Sequence, residues 1–181
     1  MSHENRRIIA ISGKMRAGKD TFAEVFTSII PTFNRVGFAD ELKREFAALH
    51  YITVDDINTY KDIYRERLIN YGAMKRAESP LYWVSRALIH PNDIIITDLR
   101  FRNEYDHLTM LGKTTFIRIE SSTEERSKRG KVIDNDPSET ELDKGIAWDF
   151  VLENNGTLEE FKENVALVTN DVSWKSMYSL Y

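Results

Sequence analysis

The stretch that most narrows what this chain can fold into is Gly13-Lys14-Met15-Arg16-Ala17-Gly18-Lys19-Asp20-Thr21. It follows an apolar run, Ile8–Ser12, and opens a segment in which Phe22, Val25, Phe26 and Ile29 recur at i, i+3, i+4 and i+7. Strand, glycine loop and helix in that order form the context a Walker A loop requires. The glycines permit backbone angles that turn N–H groups inward around an anion. The start of the helix adds positive partial charge. On this reading Gly13, Lys14, Arg16, Ala17, Gly18, Lys19, Asp20 and Thr21 cradle the phosphates of ATP. Lys19 reaches the β- and γ-phosphates, and Lys14 and Arg16 add charge at the mouth.

The pattern departs at one place. Asp20 stands where the loop pattern has a hydroxyl, with Thr21 next in line. That hydroxyl ordinarily ligates Mg²⁺. Asp20 can ligate it directly or through water, or Thr21 can substitute. A carboxylate beside phosphates is unfavourable without a cation between them, so Asp20 itself argues for Mg²⁺.

Two further apolar runs, Ile94–Thr97 and Thr115–Ile119, read as buried strands, and Val36–Phe38 and Phe150–Leu152 as weaker ones. Continuous apolar runs suit parallel strands covered on both faces. Ser79-Pro80 reads as the N-cap and first position of a helix through Leu88. Ser122 with Glu125, and Thr157 with Glu160, fit capping boxes. Alternation of strands and helices implies βαβ units. The stretch from Asp40 to His90 is too long for a minimal crossover and reads as an inserted helical, substrate-binding region. Residues 128–138 read as a mobile lid loop. No clean boundary divides the 181 residues into independent domains.

Composition excludes several classes. With 25 Lys+Arg against 29 Asp+Glu, the net charge of −4 gives no general attraction to nucleic acid or to an anionic membrane. No cysteine is present, so disulfides and thiolate metal sites are excluded. The four histidines, His3, His50, His90 and His107, lack metal-ligand spacing and receive no role. No run approaches the roughly 20 apolar residues of a membrane helix, and no secretory signal pattern opens the chain. A cytoplasmic location is expected. The partner expected is a small phosphorylated molecule. The aromatic tail, Val172–Tyr181, is a candidate for docking on the core or on a second copy in a homodimer.

Ile94-Ile95-Ile96-Thr97-Asp98 is an apolar strand ending in a carboxylate. In doubly wound sheets ligands bind outside the carboxyl ends of strands. Asp98 is therefore a candidate for holding Mg²⁺ through water or for accepting a proton. Arg100 and Arg102 follow, and Arg100 is suited to binding an acceptor phosphate bidentately; Glu104 is placed to orient one of them. A plain N-cap with surface ion pairs is the alternative. Between Tyr60 and Ala77, Arg65, Gly72 and Arg76 fall on one helical stripe. These residues, with Lys75, are candidates for binding an acceptor anion, Gly72 leaving room for the ligand; a solvated basic face with a glycine kink is the alternative. Arg126 and Arg129, three apart before Gly130, are candidates for closing over transferring phosphates, or for compensating a helix C-terminus. Asn154–Gly156 borders either the adenine or nothing but a turn.

These segments together resemble the phage-type deoxynucleoside monophosphate kinases and the animal-type phosphomevalonate kinases, two groups with the P-loop nucleoside monophosphate kinase fold. The resemblance runs through the Gly13–Thr21 loop, with its Asp after the lysine, and through Phe38 to Lys43. It continues in Lys61, Arg65, Gly72, Lys75 and Arg76, in Tyr82-Trp83, and in Thr97–Glu104. It ends with Arg126–Gly130, Ser138-Glu139 and Phe150–Thr157. Asp98–Glu104 is nearer the deoxynucleotide kinases; Lys61–Arg76 and Arg126–Gly130 are at least as near the phosphomevalonate enzymes. Arg102 stands where the phage enzymes have Pro.

The resemblance implies a three-layer α/β P-loop NTPase fold with a five-stranded parallel sheet. It also implies ATP- and Mg²⁺-dependent transfer onto a phosphomonoester. It places Lys19 on the donor phosphates, Asp98 near metal and acceptor, and Asp40, Lys43, Arg65, Arg76 and Arg100 on the acceptor side. A deoxynucleoside monophosphate is the leading acceptor and phosphomevalonate the second. A nucleotide sensor is the alternative from another class; no Asn-Lys-x-Asp guanine-reading motif is present.

Overall fold

The structure is a computed structural model that describes residues 6–178, with side chains described for residues 6–172. His3 and Tyr181 lie outside the described residues, as do the side chains of Trp174 and Tyr178 in the aromatic tail. The chain runs β1 (Ile8–Ser12), α1 (Lys19–Ile29), β2 (Asn34–Val36), α2 (Phe38–His50), α3 (Val54–Thr59), α4 (Lys61–Glu78) and α5 (Tyr82–Ala87). It continues through β3 (Ile94–Ile96), α6 (Arg102–Met110), β4 (Thr114–Glu120), α7 (Thr123–Lys128), α8 (Pro137–Thr140), β5 (Phe150–Glu153) and α9 (Leu158–Tyr178). It forms two compact units: residues 36–91, and the remainder.

The larger unit carries the sheet, in the order β2-β3-β1-β4-β5. β1 runs parallel to β3, with Ile8 opposite Ile94, and to β4, with Ile8 opposite Thr114; β4 runs parallel to β5. Strand alternation sorts the side chains. Ile9, Ile11, Ile117 and Ile119 pack with Phe22 and Phe26 of α1 and with Phe161 and Val165 of α9. Phe116 faces the other way, onto Tyr105 of α6, with ring centroids 4.4 Å apart. Helices thus cover both faces, which is why the central strands β1 and β3 are buried along their whole length.

The second unit has its own small core. Phe46, Ala47 and Ile57 are buried there, with Tyr64, Leu68 and Tyr71 of α4 against them. Glu45 is its polar centre: it accepts hydrogen bonds from the hydroxyls of Tyr71 (2.6 Å) and Tyr82 (2.8 Å). Burial, and then the bond to Glu45, push the Tyr71 hydroxyl pKa strongly upward.

Three local expectations are revised. The strand expected at 36–38 is Asn34–Val36, anchored where the Asn34 N–H donates to Asp93 O at 2.8 Å; Phe38 instead opens α2. Ser79 closes α4 as its C-cap, and α5 starts only at Tyr82, because Pro80 serves as the stop after one helix instead of the start of the next. Ser122 caps α7 through its hydroxyl, but Glu125 pairs forward with Lys128 and does not complete a box. Thr157 and Glu160 bond to each other in both directions.

Candidate active site

The loop between β1 and α1 is held in shape from several sides. Gly13 and Gly18 both have positive φ, 152° and 113°. A Cβ on Gly13 would stand 2.5 Å from the carbonyl oxygen of Ile119 on β4. A Cβ on Gly18 would stand 2.4 Å from Asn154 Nδ2, which donates to Ala17 O at 2.7 Å. Only glycine fits either position. Arg16 also has positive φ, 65°, a conformation costly to a residue with a Cβ. It is fixed by a reciprocal exchange with Arg129. Arg16 Nη1 donates to Arg129 O (2.5 Å), and Arg129 Nη1 donates to Arg16 O (3.0 Å).

Lys19, the first residue of α1, turns its ammonium back over the loop and donates to Gly13 O (2.5 Å) and Lys14 O (3.0 Å). Burial, then the positive charge of Arg100, lower its pKa to about 8; Glu139, Asp20 and Asp98 act in the opposite direction. Both candidate metal carboxylates and Arg100 therefore act on one ammonium. Asp20, exposed, pairs with Arg35 of β2. Asp98 follows the end of β3 and is half-buried. Asp20, Thr21 and Asp98 offer only hard oxygen donors. Mg²⁺ characteristically takes one or two carboxylates together with phosphate oxygens and water, so this set fits it. Among the described residues no cluster of three or more His, Cys, Asp or Glu side chains is close enough to hold a metal by itself.

Beyond β3, Glu104 is buried, and its Oε2 accepts the N–H groups of both Arg100 and Phe101 at 3.0 Å. This shapes the turn that presents Arg100. The Arg100 guanidinium donates to Glu139 Oε1 (2.7 Å) and Ser138 Oγ (3.2 Å). Arg102, expected in the crevice beside it, is exposed on α6 and bonds to Asp106 and to Gly145 O.

Arg126 departs from its expected part as a phosphate-neutralising lid residue. It is 1% exposed. Its Nε donates to Ser121 O, Nη1 to Met15 O and Asp134 Oδ1, and Nη2 to Thr123 Oγ1 and Asp134 Oδ2. A guanidinium has five N–H donors, and here all five are engaged inside the protein. Arg129 likewise spends Nη2 on Asn154 O (2.9 Å). Both arginines brace the phosphate loop. Residues 128–138, expected as a lid loop, include the start of α8, capped by the Asp136 side chain and entered through Pro137. Asn154, weighed beside the adenine, turns its side chain to the loop.

Arg118 carries no signal in the sequence that would mark it for a site. It is 6% exposed on β4, donates to Ser12 Oγ and Asp143 Oδ1, and lies 5.8 Å from the Trp148 ring. Asp143 also pairs with Lys14 at 3.3 Å. Lys14, Arg118, Trp148 and the ends of β4 and β5 line a cleft of about 440 Å³.

In the helical unit Lys43 donates to Asn58, Asp40 lies in the first turn of α2, and Arg65 is exposed on α4. Lys75 pairs with Glu78 and stands 5.1 Å over the Tyr82 ring. Gly72 does not leave room for a ligand: a Cβ there would meet Leu42 Cδ1 at 2.6 Å. Its role is the close approach of α2 to α4, and its carbonyl accepts from Trp83 Nε1 at 3.3 Å. Arg76 is half-buried beside it.

A glycine loop closing on a helix-borne lysine, on a β2-β3-β1-β4-β5 sheet, defines the P-loop NTPase fold. Solved structures with the same fold include the shikimate kinase of Aquifex aeolicus (TM-score 0.53, 13% identity, 92% of this chain and 98% of that one). Another is the dephospho-CoA kinase of Campylobacter jejuni (TM-score 0.53, 15% identity, 93% and 98%). The sequence pattern of the phosphomevalonate kinase family matches residues 11–114, more than half the chain, and the chain belongs to that family. A relative, uncharacterized protein ORF76 of Ictalurid herpesvirus 1 (strain Auburn), is 29% identical over 181 residues, covering 93% of this chain and 69% of the relative.

Proposed function

We propose that the protein transfers the γ-phosphoryl group of ATP to the phosphate of a small phosphomonoester, with a deoxynucleoside monophosphate as the acceptor. The observation that carries the reading is the arrangement of Lys19, Asp20, Asp98 and Arg100 around one phosphate loop. A nucleotide sensor has no need of Arg100, held by Glu104 and Glu139 at the end of β3. The run Asp98–Glu104 favours a deoxynucleotide. Phosphomevalonate is the second reading, favoured by the family match over residues 11–114.

Phosphoryl transfer leaves little covalent chemistry to the protein, so its work is positioning and charge neutralisation. The loop amides and the α1 N-terminus receive the donor phosphates. Lys19, released from the Gly13 and Lys14 carbonyls, neutralises charge on them. Arg100 orients the acceptor phosphate for in-line attack, and Asp98 is placed to take the acceptor's proton where it carries one. Asp20 or Thr21, with Asp98, would hold Mg²⁺, which when bound neutralises charge on the phosphate oxygens. The cleft beside Lys14 has the size of small-molecule sites and gives the nucleotide room. Arg65 and Arg76 of the helical unit are anion-binding candidates on the strength of their shared helical stripe.

The test is a coupled ADP-release assay with ATP and Mg²⁺. The acceptors are dAMP, dCMP, dGMP, dTMP, AMP, UMP and phosphomevalonate, with Lys19→Ala as control. Turnover with deoxynucleotides, lost in the control, is the expected result. Turnover with phosphomevalonate alone selects the second reading. ATP binding without acceptor-dependent turnover overturns both.

A further inference from the structure

Glu139 is a charged side chain almost wholly removed from water, with the residue 6% exposed. It sits on the one-turn helix α8, and its side-chain partners Met15 and Arg100 lie 124 and 39 residues away in sequence. Its two carboxylate oxygens go to different places. Oε2 accepts the N–H of Met15, at the crest of the phosphate loop, at 2.5 Å. Oε1 accepts Nη1 of Arg100, at the end of β3, at 2.7 Å, while the adjacent Ser138 hydroxyl takes the same nitrogen at 3.2 Å. A buried carboxylate is tolerated only when its charge is paired and hydrogen-bonded; both conditions are met by groups of the phosphate site.

Met15 is gripped on its other side as well. Its carbonyl accepts Nη1 of Arg126 at 3.3 Å, so residues 126–139 hold both polar groups of that residue. Glu139 thereby ties the donor-phosphate loop to the arginine assigned to the acceptor phosphate. Transfer requires those two groups to keep a fixed separation, and misplacement by about 1 Å costs about 100-fold in rate.

We propose that Glu139 is a positioning residue for phosphoryl transfer, clamping Arg100 and the Met15 amide with its two carboxylate oxygens so that donor and acceptor phosphates meet in line. The inference rests on the kinase reading above. A rival account is that the carboxylate occupies an anion position in the loop and competes with nucleotide phosphate. The two predict opposite effects of removing the charge.

The experiment measures kcat, acceptor KM and ATP KM for wild type, Glu139→Gln, Glu139→Asp and a control, Glu141→Gln. Glu141 lies on the same short segment and accepts the backbone N–H of Arg102, away from the phosphate loop. In Glu139→Gln, turnover is expected to slow by about 10–100-fold, with a rise in acceptor KM and with ATP KM within about threefold. Glu139→Asp, which keeps the charge but draws it back by one methylene, falls between, and Glu141→Gln stays within about twofold of wild type. Adding Arg100→Gln to Glu139→Gln costs less than the two single changes multiplied, because the carboxylate acts through the arginine. Should Glu139→Gln fail to fold, the Asp variant and its ATP KM decide. Unchanged constants in the folded Glu139 variants would overturn the clamp. So would tighter nucleotide binding with turnover retained, which identifies the carboxylate as a competitor. A wild-type protein silent with every acceptor while binding ATP removes the kinase reading itself, a different result from an active enzyme indifferent to Glu139.

Discussion

Replacing Arg126 by Met separates its two possible parts. The guanidinium is nearly without solvent exposure, and all five of its donors are engaged, two of them on Asp134. Breaking a buried ion pair by removing one partner costs about 3–5 kcal/mol, because the other charge is left unpaired. Asp134 is 28% exposed at its side chain and can recover hydration, so the figure is discounted to about 2–3 kcal/mol. For a chain of this length that corresponds to a drop in Tm of about 5–10 °C. Calorimetry or thermal circular dichroism reads it directly. Changing Asp134 to Leu in the same background should restore part of the loss, since the unpaired charge is then gone. The reasoning would be refuted by a stability loss under about 1 kcal/mol accompanied by turnover slowed by about three orders of magnitude, which would return Arg126 to the transferring phosphate.

Two further outcomes follow from the loop. The Lys19 ammonium, lowered to about 8 by burial first and Arg100 second, is charged below that pH and neutral above it. The kcat/KM for ATP should therefore be level up to about pH 7.5 and fall toward tenfold per unit above about pH 8; a profile that stays level to about pH 10 refutes it. Gly13→Ala sets a Cβ against a backbone carbonyl of β4, which no rotamer change relieves. It should lower stability by about 2–3 kcal/mol and ATP affinity by more than about tenfold, in denaturant titration and calorimetric binding; wild-type affinity would show that the loop has room.

The strand-loop-helix start was legible because its signals are local: an apolar run, two glycines, a lysine, and a helical period that begins where the loop stops. Strands β3 and β4 were legible for the same reason, as apolar runs. What the sequence concealed are partnerships across distance. Arg118 looks like an interruption in an apolar run, and its meaning appears only with Asp143 and Trp148, which come from the connection before β5. Asp20 next to a lysine points to a metal, and nothing in its neighbourhood announces Arg35. Arg126 and Arg129 have the composition of a lid, but bracing the loop is a matter of which carbonyls lie within reach. Gly72 shares a stripe with two arginines, and only the packing of α2 reveals that Leu42 fills the gap. Ser79-Pro80 fits a helix start and a helix stop equally well, and the preceding helix, extended to Glu78, decided between them.

The pairing of β1 with β3 has a bearing on how the chain assembles and diverges. Arg7 and Asp93, joined beside the Ile8–Ile94 register, are 86 residues apart in sequence. Closing that interval instead of a minimal crossover of about 30 residues costs only about 1 kcal/mol of chain entropy, because closure entropy grows with the logarithm of length. The Glu45–Tyr82 bond within the helical unit spans 37 residues, whereas β1 joins β3 and β4 across intervals of 86 and 106, so the pairings of β1 are expected to set the folding rate. Lengthening or replacing the segment between β2 and β3 would scarcely burden the sheet, so that interval is free to vary in length while the phosphate loop stays unchanged.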